Sequence, residues 1–145
     1  MRQIALASVL AVFTPFTHAQ VPAVLGKCIV ENMSPSDRQD IARWVFASMA
    51  VHPEVKQLSA QNAQATQDAA RKMGTIFTRL LRDICPNEFR EAAGAGGPPV
   101  VSSAINFFTQ IGIQELMTNK VVLATHASFG QYADKEGIDR IARAR

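Results

Sequence analysis

AQATQDAARKMGTIFTRLLRDICP, residues 63–86, is the stretch on which the fold turns. Its apolar residues Ala69, Met73, Ile76, Phe77, Leu80, Leu81 and Ile84 recur at three- and four-residue spacing. At about 100° per residue they form one stripe along an α-helix running from near Ala63 to Ile84. Asp68, Arg71, Lys72, Arg79, Arg82 and Asp83 fall on the opposite side, which belongs in water. Asp68–Lys72 and Arg79–Asp83 are spaced to pair along the helix, worth on the order of 0.3 kcal/mol each. Cys85-Pro86 ends the element, because the residue before a proline avoids the helical region.

Toward the N-terminus, Ser34-Pro35-Ser36-Asp37 is a helix start. Ser34 supplies the cap, Pro35 suits the first turn, and Asp37 completes a capping box at the positive helix end. That helix is expected to reach about Val51, where His52-Pro53 stops it. Ile41, Val45, Ser48 and Met49 share one face, with Trp44 and Phe46 on its flanks and Gln39, Asp40 and Arg43 opposite. So wide an apolar arc predicts a helix packed on more than one side. Pro53 opens a short helix to about Ala60.

Toward the C-terminus, Glu88–Ala93 predicts a short helical turn. Gly94-Ala95-Gly96-Gly97-Pro98-Pro99 then reads as the one clear break, a loop. Helices are expected over Val100–Thr118 and Lys120–Ala133, with a short last one over Ile138–Ala144. No stretch alternates as a strand would. The prediction is an all-α, compact bundle of about five helices with short connections, forming a single domain over 20–145.

The first nineteen residues carry a different signal. Arg2 is followed by an uncharged run from Ile4 to Phe13, then Pro15, then Thr17-His18-Ala19 with small residues where a signal peptidase reads. The run is too short to span a bilayer, which takes about twenty residues. A secretory signal over 1–19, cleaved after Ala19 to leave a mature chain from Gln20, is therefore expected, with a periplasmic location and no membrane anchor. Leu25-Gly26-Lys27-Cys28 offers a competing lipoprotein route, weakened by Lys27 and by its distance from the apolar run. Of the charges, 15 Lys and Arg stand against 12 Asp and Glu. Losing Arg2 leaves 14 against 12, about +2, without the clustered basic face that nucleic acid requires.

Cys28 and Cys85 are the only cysteines. In an oxidising compartment two such residues are best read as one disulfide, and no Cys-x-x-Cys suggests redox chemistry. The bridge would pin the end of the longest helix to the N-terminal segment.

Candidates for chemistry are few. His52 and His126 have no metal-ligand spacing, and zinc needs three or four convergent ligands. His52 reads as helix-terminal or core, His126 as surface. Ser102-Ser103 lacks a nucleophile-elbow context. The glycine loop lacks a following Gly-Lys-Ser/Thr, and Pro98 and Pro99 have no N–H to give a phosphate. It is a linker or, with Arg90, Glu91, Gly94, Gly96, Gly97 and Pro98, a loop for a protein partner. Glu115 projects among Ala104, Phe108, Ile111 and Gly112, so burial would demand an ion pair, a hydrogen bond or a proton. Ile113, Met117 and Leu123 lie off the main stripes. Either a centrally packed helix buries them, or they form an exposed patch for binding. No catalytic residue, metal or cofactor is assigned.

The stretch Asp37-Arg38-Gln39-Asp40-Ile41-Ala42-Arg43-Trp44-Val45-Phe46-Ala47-Ser48-Met49-Ala50-Val51-His52-Pro53 resembles small exported helical proteins of Gram-negative bacteria. These include immunity proteins paired with antibacterial toxins of type IV or type VI secretion. The resemblance implies a periplasmic protein-binding module that neutralises a secreted toxin. The alternatives are a small exported enzyme or ligand carrier with a cavity formed by Glu115 and His52 or His126, and a secretion-associated chaperone.

Overall fold

In a computed structural model, residues 21–60, 62–97 and 99–144 are described, and the expected signal over 1–19 lies outside them. These residues form eight α-helices and no strand: α1 (Ala23–Glu31), α2 (Pro35–Met49), α3 (Pro53–Lys56), α4 (Ala63–Thr78), α5 (Pro86–Gly96), α6 (Pro99–Thr118), α7 (Lys120–Ala127) and α8 (Lys135–Arg143). A π-helical turn, Arg79–Ile84, continues α4, and a 3-10 turn, Ser128–Gln131, follows α7. The all-helical expectation holds, but the count exceeds the five expected. α1 was not foreseen, because Pro22 gives it no side-chain cap and its first turn carries no acid.

The starts follow the local chemistry. Ser34 Oγ accepts from Asp37 N–H at 3.1 Å, and Ser34 N–H donates to the Asp37 carboxylate at 2.8 Å, so the capping box is complete. Asn62 Oδ1 caps α4 through Ala65 N–H at 2.9 Å. Pro53, Pro86 and Pro99 each stand at a helix start, where a missing N–H costs nothing. α3 is a single turn and stops at Lys56, short of the Ala60 expected.

α2 packs against both α4 and α6, as its wide apolar arc predicts, while α1 packs on α5. Leu25, Ile29, Ile41, Leu80 and Phe108 are fully buried in one core, with Phe77 set against Phe108 at 5.4 Å between ring centroids. Gly112 of α6 crosses α2 at close range: a Cβ there would stand 2.6 Å from Val45 Cγ2 and 3.1 Å from the Ile41 carbonyl oxygen. Not all of the expected α2 face is covered, since Phe46, Ser48 and Met49 are exposed while Ala42, Ala47 and Ala50 are buried. Small residues let neighbouring helices approach, and the bulky pair is left outside the contact.

The disulfide forms as expected, Cys28 to Cys85, with Cα atoms 6.1 Å apart. A bridged Cys28 has no thiol to acylate, which removes the lipoprotein route for this form. The π turn sets the register at the bridge. Cys85 N–H bonds back to Leu80 O at 2.8 Å, five residues away rather than four. The extra residue lets Leu80, Leu81 and Cys85 all face the core, and it swings Ile84 off the stripe to 36% exposure.

Both ion pairs expected within the long helix are replaced. Asp68 takes Arg71 at 2.9 Å, and Arg82 chelates its neighbour Asp83. Lys72 and Arg79 instead reach α2, pairing with Asp40 at 3.4 Å and Asp37 at 2.8 Å. Burial works against the Asp37 charge, but the Ser34 hydroxyl, the Ser34 N–H and Arg79 outweigh it and hold its carboxyl below the ordinary value.

The glycine loop is also corrected. α5 continues through Gly94, Ala95 and Gly96, and the chain turns only at Gly97, whose φ of 63° is a left-handed conformation that glycine adopts freely. Gly97 N–H closes the helix on Ala93 O at 2.8 Å. Pro98 lies outside the described residues. The Cys85–Pro86 start and the burial of Ala92 carry the helix across two residues of poor propensity.

Candidate functional site

α6 buries Val100, Ser103, Ala104, Phe108, Ile111 and Gly112, and the packed core ends there. From Ile113 to Ala144 no side chain is buried. Yet this segment holds many of the large apolar residues. Ile113 is 40% exposed and Leu123 44%, while Met117 is half-buried, so none of the three is packed into the core. The segment also exposes large residues the sequence reading did not select: Val121, Val122, Phe129, Tyr132, Ile138 and Ile141, with Tyr132 84% exposed and Ile141 78%. The three-residue spacing of Ile138 and Ile141 within a charged helix was the available signal, but spacing alone does not tell a covered face from a bare one.

Local chemistry holds the segment in shape. Asn119 Oδ1 caps α7 by accepting from Val121 and Val122 N–H at 2.9 and 3.2 Å. Asp134 Oδ1 caps α8 through Gly137 N–H at 3.0 Å, and Asp139 pairs with Arg143 at 3.4 Å. His126 sets its ring edge-on against Phe129 at 6.3 Å. The arm therefore presents apolar side chains on a capped helical frame with little core beneath it.

The other candidates disperse. Arg90 and Glu91 lie exposed on α5, where Arg90 Nη1 donates to Asn87 Oδ1 at 3.0 Å. Gly94 and Gly96 belong to the last turns of the same helix rather than to a protruding loop. Glu115 is half-buried, and its carboxylate has no hydrogen bond or ion pair with a described residue. His52 is exposed and caps α3, its Nδ1 accepting from Glu54 N–H at 3.3 Å. His126 is exposed on α7, so neither histidine joins Glu115 in a buried site. Ser102 and Ser103 each donate to Pro99 O at 2.9 Å, which ties them to the first turn of α6. Among the described residues, Cys28, Cys85 and Glu88 bring metal-type ligand atoms within 4.8 Å, but both sulfurs are spent in the bridge.

No described helix is long and apolar enough to cross a membrane. Comparison with protein-family models, with curated proteins and with solved structures finds no match.

Proposed function

We propose that the chain is an exported, periplasmic protein-binding module, and specifically an immunity protein that neutralises a secreted antibacterial toxin by binding it. The observation that supports this reading is the number of large apolar side chains left exposed between Ile113 and Ile141. α7 and α8 have 8 and 9 residues. Isolated helices shorter than about 12–15 residues are marginal in water, so these two gain from a second surface laid against them. Large apolar side chains left in water gain from being covered by a partner, and aromatic residues such as Phe129 and Tyr132 are enriched at protein interfaces. The disulfide suits an oxidising compartment. Glu115 makes no hydrogen bond or ion pair with His52 or His126, the pairing that the catalytic reading called for, which favours a binding role.

The test has two arms. Expression without residues 1–19 is expected to abolish protection of cells against a toxin acting in the periplasm, and protection retained from the cytosol refutes the proposal. Ile113→Asp with Leu123→Asp is expected to weaken the toxin complex by more than about 30-fold while changing stability by less than about 0.5 kcal/mol. Undiminished binding by that double variant removes these side chains from the account.

A further inference from the structure

A groove is lined by residues outside α6, α7 and α8. The end of α4, the π turn and α5 enclose a groove of about 570 Å³. Its floor is Phe77, Leu81, Phe89 and Ala93, and its rim carries Arg82 and Arg90 with no acidic residue in the lining. From Pro86 to Ala93 the α5 wall is about 10 Å long at 1.5 Å per residue. That length takes one large side chain and its neighbours. Phe77 is braced from behind by Phe108, so the floor is preformed.

The two arginines differ. Arg82 is already neutralised, with Nε and Nη2 on the two oxygens of Asp83 at 2.6 and 3.1 Å. Arg90 has only the neutral Asn87 amide oxygen, and no carboxylate among the described residues pairs with it. An uncompensated guanidinium beside an aromatic floor is complementary to a ligand that joins an apolar side chain to a carboxylate. The groove is open along one side. A hydrocarbon tail lying in it would keep one flank in water, whereas an acidic, amphipathic peptide would turn its polar flank outward.

We propose that this groove binds a short acidic peptide segment, its aromatic or aliphatic side chain on Phe77, Leu81 and Phe89 and its carboxylate on Arg90. None of the lining residues belongs to α6, α7 or α8, so the site does not depend on the toxin-binding reading. The π turn builds one wall, since it places Leu81 on the floor and Arg82 on the rim together.

The experiment is a ¹H–¹⁵N chemical-shift titration of the protein with a synthetic pool of eight-residue peptides in which Phe, Leu or Trp alternates with glutamate. Saturable shifts confined to residues 77–93 are expected. Replacing glutamate by glutamine in the pool should weaken binding about tenfold, as should Arg90→Glu in the protein, because a charge-assisted bond is lost. A pool with lysine in place of glutamate should recover binding to the Arg90→Glu protein. Arg90 is exposed and its one described side-chain partner is the neighbouring Asn87, so the variant keeps its fold, which an unchanged far-ultraviolet circular dichroism spectrum verifies. Equal binding of the glutamate and glutamine pools overturns the proposal, as does indifference to Arg90→Glu. Absence of saturable shifts overturns it too, and so does palmitate shifting residues 77–93 where the peptides do not. Toxin protection is read separately: its survival in the Arg90→Glu protein with peptide binding lost shows two independent sites, and intact peptide binding by the Ile113/Leu123 variant with protection lost shows the same.

Discussion

Gly112→Ala is expected to destabilise the protein although alanine is the better helix former. Gly112 is buried in α6 where that helix crosses α2. The new methyl would stand 2.6 Å from Val45 Cγ2 and 3.1 Å from both Ile41 Cγ2 and the Ile41 carbonyl oxygen. Val45 is β-branched and 2% exposed, and Ile41 is fully buried, so neither can swing aside. Overpacking a filled site costs about 1–3 kcal/mol, and backbone contact on a stiff neighbour places this case near about 3. Exchanging glycine for alanine within a helix returns about 1 kcal/mol. The net loss is therefore about 2 kcal/mol, read as a lower urea midpoint at unchanged m-value. Gly94→Ala is the control. It is the same exchange within α5, with nothing outside its own helical backbone and chain neighbours within 4 Å of the new carbon, and should gain up to about 1 kcal/mol. Val45→Ala removes one of the clashing methyls, so the Gly112/Val45 double variant should lose less than the sum of the singles, with coupling near 1 kcal/mol. Stabilisation by Gly112→Ala, or strict additivity with Val45→Ala, would refute the assigned contact between α2 and α6.

Replacing Cys28 and Cys85 together by serine should cost about 4 kcal/mol, the chain-entropy value for a loop closed across 57 positions. Thermal unfolding with and without a reductant measures it, and the serine variant should be insensitive to the reductant. The lowered Asp37 carboxyl predicts an acid-sensitive contribution. Its folded value lies below the unfolded one, so the stabilisation is full above about pH 4 and is lost as pH falls through the folded value. Asp37→Asn should flatten that part of the pH–stability curve measured by urea unfolding; an unchanged acid limb assigns the loss to other carboxylates.

The sequence by itself determined what depends on neighbours along the chain. The capping box of Ser34 and Asp37, the proline starts at 35 and 53, and the stripe from Met73 to Leu81 all involve groups within about one or two helical turns. The disulfide was legible because two cysteines allow only one intrachain pairing. Of the candidate site, Ile113, Met117 and Leu123 were legible as residues off the stripe, but not whether anything covered them. Tertiary structure decided the remainder, because those outcomes depend on distances between helices. Lys72 and Arg79 could pair along their own helix or across to α2, and the packing of α4 on α2 brought Asp40 and Asp37 closer to them. Gly94 and Gly96 look like a loop in isolation, yet Gly97 is where the backbone turns and α5 runs up to it. Ile84 shares the periodicity of Leu80 and Leu81, and a single π turn removes it from the core. Apolar spacing states that a residue can be buried; only the arrangement of the other helices states whether it is, and from Ile113 to Ala144 no side chain is fully buried.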